Sequence, residues 1–195
     1  MSTPALTIAA TPLSSRRLAR RDRIIQAAMR LATQGYDACQ IRSVATAAGV
    51  AASTVYQYFP SKDDLLLACF YEWLWDFETE FPRGTAEPDP LQRLLRVALS
   101  LTDRLCSSPR FAEALIRPYL YADGTAATQA DLVRRQTVRI FVEAVGGGTS
   151  TPREIGAAEV LSDVWMTNIA AFTQQRIGSD ELSHRLARTV RLLTG

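Results

Sequence analysis

The chain has 195 residues, 47% of them hydrophobic, so it can bury a real core as one large domain or as a small domain packed on a larger one. No apolar run approaches the roughly 18–20 residues that span a bilayer, and the first residues lack a basic segment followed by an apolar stretch, so neither a membrane span nor a secretory signal is expected and the reading is cytoplasmic. Net charge is +2, but residues 1–62 hold seven Arg and one Lys against Asp22 and Asp37 (net +6), while residues 63–195 hold fourteen Arg against eighteen acids (net −4), which suggests a polyanion-binding head on a body that is not one.

Residues 1–13 are small and polar and read as disordered, as part of an arm over residues 1–15. From Ser14 the chain turns helical. Ile24, Ala27, Ala28, Leu31 and Ala32 recur at three- and four-residue steps and make one apolar stripe, which Gly35 ends. A second helix fits Ile41–Ala48 with Gly49 as its stop, and a third fits Ala51–Phe59. Ser61 caps a fourth, with Asp63 and Asp64 at its positive end, and Leu66, Cys69, Phe70, Trp73 and Phe77 carry it to about Glu80. Phe81–Asp89 reads as a linker.

Asp89-Pro90 starts the next helix, and Ser108-Pro109 repeats the device. After a loop at Tyr121–Thr125, a long helix runs from about Ala126 to Val145 and stops at Gly146–Gly148. Thr151-Pro152-Arg153-Glu154 is a capping-box start for a helix reaching about Ile177, and Ser179 caps a last one. The expectation is an all-α chain of about nine helices: a three-helix head over residues 16–62 and a larger helical body over residues 63–195.

Residues 41–59 read IRSVATAAGVAASTVYQYF, which is the helix-turn-helix layout. Val44, Ala45, Ala48 and Val50 pack the pair inward, while the second helix shows Ser53, Thr54, Gln57 and Tyr58 outward. Gln can read adenine in the major groove, and hydroxyls take bases or phosphate.

Several short motifs resemble the DNA-binding signature of the TetR family of transcriptional regulators: Arg23-Ile24-Ile25 with Ala28 and Leu31, Gly35-Tyr36, Val44-Ala45, Ala48-Gly49-Val50, Ser53-Thr54-Val55-Tyr56, Tyr58-Phe59, and Lys62 with Leu65-Leu66. The match covers about residues 20–67. The resemblance implies a dimer on palindromic operator DNA, with residues 41–48 positioning and residues 52–58 recognising. It implies phosphate contacts from Tyr56, Tyr58 and Lys62 and hydroxyl contacts from Ser53 and Thr54. Lys62 also sits at a helix N-terminus, where backbone amides attract phosphate. Arg42 opens the positioning helix and can reach a base edge; Arg16, Arg17, Arg20 and Arg21 can form an arm to the minor groove or phosphates. Against these stand plainer roles: Tyr56 as partly core, and the arginines and Lys62 as solvated charges. Ala51 departs from the family's usual Ser or Thr and cannot cap with a side chain.

In the body, a heavily aromatic set of Trp73, Phe77, Leu105, Phe111, Tyr119, Tyr121, Phe141, Trp165 and Asn168 is either core or the wall of a pocket for a hydrophobic small-molecule effector. Segments FYEWLWDFETEF and DVWMTNIAAF resemble the actinobacterial repressors of sterol and lipid catabolism, which implies acyl-CoA thioesters as effectors. By the family resemblance, the last two helices form a homodimer interface, with Leu161, Val164, Phe172, Leu186 and Val190 as its residues. No cofactor and no metal are expected: Cys39, Cys69 and Cys106 are scattered without a CxxC pair. An enzyme is not expected either, because the single histidine, His184, has no glycine-framed serine near it. A DNA binder whose body only dimerises, with no effector, is the main alternative.

Overall fold

The computed structural model describes residues 15–80, 87–146 and 149–194. Residues 1–14 of the expected arm, most of the Phe81–Asp89 linker and the end of the Gly146–Gly148 stop lie outside the described residues. Among the described residues there are nine α-helices and no strand: α1 (Ser15–Ala32), α2 (Ile41–Ala48), α3 (Ala52–Tyr58), α4 (Lys62–Glu80), α5 (Pro90–Cys106), α6 (Pro109–Leu120), α7 (Gly124–Val145), α8 (Pro152–Thr173) and α9 (Ser179–Thr194), with a 3-10 turn at Tyr36–Ala38.

The start signals act through specific contacts. The Ser61 hydroxyl accepts the Asp64 N–H at 3.0 Å at the head of α4. Asp89 accepts the Leu91 N–H at 2.9 Å, and Thr151 with Glu154 forms the full capping box of α8. Two serines do not cap as expected: Pro109 opens α6 but Ser108 makes no side-chain cap bond, and Ser179 lies inside α9 as its first residue, with the Leu182 N–H reaching the Gly178 carbonyl at 3.1 Å. The end of α8 also differs from the sequence reading, stopping at Thr173 rather than near Ile177. Gln175 takes a left-handed conformation (φ 57°), and the Arg176 N–H returns to the Ala171 carbonyl at 2.9 Å. This closes the helix as a Schellman motif without the glycine that usually marks one.

The head is α1, α2 and α3. α1 turns Ile24, Ile25, Ala27, Ala28 and Ala32 inward; α2 adds Ile41, Val44, Ala45 and Ala48. Val55 and Phe59 close the head core from α3 and the residue after it. Gly49 sits at φ 65° and lets the Val50 N–H reach the Ala45 carbonyl at 3.0 Å, so the chain turns sharply enough to bring α3 against α2.

α4 is the spine. It packs on α1 on the head side and on α6 and α7 on the body side. That position explains why Leu65, Leu66, Leu67, Cys69, Phe70 and Leu74 are all wholly buried around its circumference. Buried Glu78 accepts Gln136 Nε2 at 2.8 Å and Arg139 Nη2 at 2.5 Å, tying α4 to α7. Trp73 and Trp75 face opposite ways, as their spacing requires: Trp73 is buried, whereas Trp75 is 42% exposed under the Arg139 guanidinium.

The apolar face of α9 has its partner inside the same subunit. Leu182, Leu186 and Val190 are wholly buried as α9 packs on α5 and α8, and so is Leu161 of α8. Leu161, Leu186 and Val190, expected at a homodimer interface, are thus buried within their own subunit, whereas Val164 and Phe172 are half-buried. The apolar groups that α8 and α9 present outward are instead Ile155, Val160 and Leu192.

Candidate nucleic-acid interface

α3 presents Ser53 and Gln57 to solvent, with Thr54 half-buried beside them. Its N-terminus has no side-chain cap: Ala51 is extended and offers only its carbonyl, which accepts the Thr54 N–H at 2.9 Å. Tyr56 is 55% exposed rather than core, while Tyr58 is half-buried. The exposed set of short polar side chains and one amide is flanked on both sides by cations.

On one side, Arg42, Tyr56 and Lys62 meet around a cleft of about 610 Å³ whose walls also include Gln40 and Ser61. The N-termini of α2 and α4 both open into it, so backbone amides and two cations converge where an anion can sit. Gln40 is a residue that motif reading missed; its only signal is its position immediately before α2. The Lys62 ammonium lies 3.4 Å from the centre of the Tyr36 ring, and burial lowers its pKa from the ordinary lysine value. Asp37 and Asp63 nearby offset part of that cost, and a phosphate entering the cleft would favour the charged form further.

On the other side, Arg16, Arg17 and Arg20 are exposed along the first turns of α1, and the Arg17 guanidinium lies 5.9 Å from the Tyr58 ring. Arg21 does not extend this arm. It pairs with Glu72 of α4 at 2.9 Å and lies over Phe59 at 5.7 Å, so it fixes α1 on the spine.

The buried thiols are not part of the surface. Burial pushes Cys39 up to about 11 and raises Cys69 further, which keeps both as neutral packing groups.

The family description "Bacterial regulatory proteins, tetR family" matches residues 24–69, and "Tetracyclin repressor-like, C-terminal domain" matches residues 87–193. The chain belongs to the TetR family. It is 36% identical over 179 residues to the HTH-type transcriptional repressor KstR of Rhodococcus jostii (strain RHA1), which covers 90% of this chain and 83% of that protein. A crystal structure of a TetR transcriptional regulator from Rhodococcus sp. RHA1 shares 27% identity, with 93% of this chain and 97% of that chain covered and a TM-score of 0.82. The fold is also that of Thermus thermophilus FadR, a TetR-family repressor crystallised with lauroyl-CoA, at a TM-score of 0.68 and 21% identity over 89% of this chain and 93% of that one. This TetR-family chain is therefore a transcriptional regulator with an N-terminal helix-turn-helix domain.

The aromatic set expected to line an effector pocket divides in this TetR body. Trp73 stacks with Phe77 and tilts against Phe111, at centroid distances of 6.5 Å in each case, and Leu105 is wholly buried. The Arg104 guanidinium lies over both Trp73 and Phe77, within 6 Å, and pairs with Glu80 at 2.7 Å. A second group forms where Phe141 meets Trp165 edge-on at 6.3 Å and the Trp165 Nε1–H donates to Thr102 at 2.9 Å. Three candidates stand apart from both groups. Asn168 donates to the Val164 carbonyl and accepts from Arg185 of α9. Tyr119 is half-buried, its pKa raised by burial, and Tyr121 is 73% exposed.

Proposed function

We propose that this chain is an effector-released repressor that binds a palindromic operator as a homodimer. The carrying observation is the head surface: outward Ser53 and Gln57 on a buried-backed α3, with the Arg42–Tyr56–Lys62 cleft on one flank and the α1 arginines on the other. Base-reading groups between phosphate-binding cations are what sequence-specific major-groove docking needs. In the dimer, two α3 helices enter successive major grooves roughly 34–36 Å apart. Outward Ile155 and Val160 of α8 with Leu192 of α9 supply the apolar groups for the second chain, beside half-buried Val164 and Phe172.

The boundaries of this reading are a head at residues 16–62 and a body at residues 63–195. The effector is hydrophobic, of the acyl-CoA or lipid and sterol-derived class. The resemblance of FYEWLWDFETEF and DVWMTNIAAF to the repressors of sterol and lipid catabolism, together with the fold shared with a FadR crystallised with lauroyl-CoA, supports that class. Trp73, Phe77, Leu105 and Phe111, with Phe141 and Trp165, are the side chains an apolar effector displaces or lines up against. Binding shifts α4, the heads splay, and operator affinity falls in proportion to the effector's preference for the splayed state.

Lauroyl-CoA is the first probe. It should raise the melting temperature of the protein and release it from a DNA fragment that the protein itself selected. A constitutive DNA binder whose body only dimerises predicts neither effect, and absence of both with lauroyl-CoA and with sterol-derived thioesters would favour that reading.

A further inference from the structure

α4 is not the only contact between body and head. α6 of the body lies against the 3-10 turn of the head. Gly35 at φ 107°, a conformation a side-chain-bearing residue resists, turns the chain so that the Tyr36 N–H donates to Glu113 of α6 at 3.3 Å. The Arg117 guanidinium, one helical turn further along α6 and paired with Glu113 at 3.6 Å, lies 4.3 Å from the centre of the Tyr36 ring. The same ring carries the Lys62 ammonium at 3.4 Å, and its hydroxyl donates to Asp63 at 2.7 Å.

Tyr36 is thus held at its amide and ring by the body and at its hydroxyl by α4, and it is the platform under the phosphate-cleft lysine. We propose that Glu113 and Arg117 are positioning residues that set the Lys62 ammonium through the Tyr36 ring, so that movement of α6 reaches the DNA contact without passing along α4. The inference rests on the DNA-binding reading above. The energetics favour a tunable link over a rigid one. Arg117 is half-exposed and borders a cleft of about 590 Å³, so its guanidinium has room to leave the ring. Two cations at one ring also repel each other, which keeps the net hold of Arg117 modest.

The test uses full-length protein and a fluorescent random-sequence duplex of about 30 base pairs, since a phosphate contact acts on any sequence. Arg117→Gln keeps the stem and removes the charge; it should weaken binding about threefold, the scale of one half-exposed cation–π contact. In a Lys62→Ala background the same change should cost almost nothing, because the group it positions is gone. Arg117→Lys, which keeps the charge, and Tyr36→Phe, which keeps the ring, should each retain affinity; Tyr36→Leu should lose it. If Arg117→Gln fails to fold, Glu113→Gln loosens the same clasp and is read the same way. An equal loss with and without Lys62, or no loss at all, would overturn the proposal while leaving the regulator reading intact. Failure of the unaltered protein to bind any duplex at low salt would overturn both.

Discussion

Replacing Lys62 by Ala separates a phosphate contact from a structural one. Each phosphate neutralised by a cation contributes about 0.9 to the slope of log affinity against log salt, so two copies in a dimer contribute about 1.8. Between about 50 and about 200 mM salt, a fourfold change, that slope amounts to roughly twelvefold in affinity. The same substitution removes the ammonium 3.4 Å from the Tyr36 ring. At this half-buried site the lost contact is worth about 0.5–1 kcal/mol of folding stability. For a chain of this size that is a melting shift of only a few degrees, about 2–4 °C per kcal/mol. Fluorescence anisotropy with a labelled duplex at four salt concentrations, beside thermal unfolding, reads both effects. A slope that falls by about 1.8 with a small melting shift supports the phosphate role. An unchanged slope with a lowered melting temperature would show that Lys62 serves Tyr36 and not DNA, and the cleft would lose its assignment.

Gln57→Ala should relax preference at one base position of a selected operator while leaving random-sequence binding nearly unchanged; uniform weakening would make it a phosphate contact. Leu186→Ala should lower subunit stability by about 2–5 kcal/mol in urea unfolding, because the side chain is wholly buried in its own chain. Val160→Glu, at an outward position, should instead dissociate the dimer in sedimentation with little loss of subunit stability; the reverse pattern would place Leu186 in the interface. Trp165→Phe removes the Nε1–H donated to Thr102 and should cost about 1–3 kcal/mol. A near-zero cost would show that the bond to Thr102 does not hold Trp165 in place.

Much of this architecture is legible in local chemistry. Asp89-Pro90, Ser61 and Thr151-Pro152-Arg153-Glu154 announce helix starts because a cap acts within three or four residues, and Gly49 announces the sharp turn because few other residues take its conformation. What escaped is either non-local or unsignalled. Gln175 ends α8 in a left-handed conformation with no glycine to mark it. Arg21 looked like one more arm arginine, but its partner Glu72 is far along the chain. The apolar stripe of α9 is plain in sequence, yet a stripe does not say which chain covers it; only packing against α5 and α8 does. The same holds for Tyr36: Gly35-Tyr36 is a recognisable pair, but its clasp by Glu113 and Arg117 belongs to the tertiary fold.

The central claim is sequence-specific DNA binding by this head. Selection of genomic fragments by the purified protein at about 150 mM salt, where non-specific phosphate binding is weakened, tests it most directly. The expected result is enrichment of a short inverted repeat with half-sites about one helical turn apart, upstream of a coherent set of genes. Recovery of DNA without a shared sequence, bound only through salt-sensitive contacts, would contradict it.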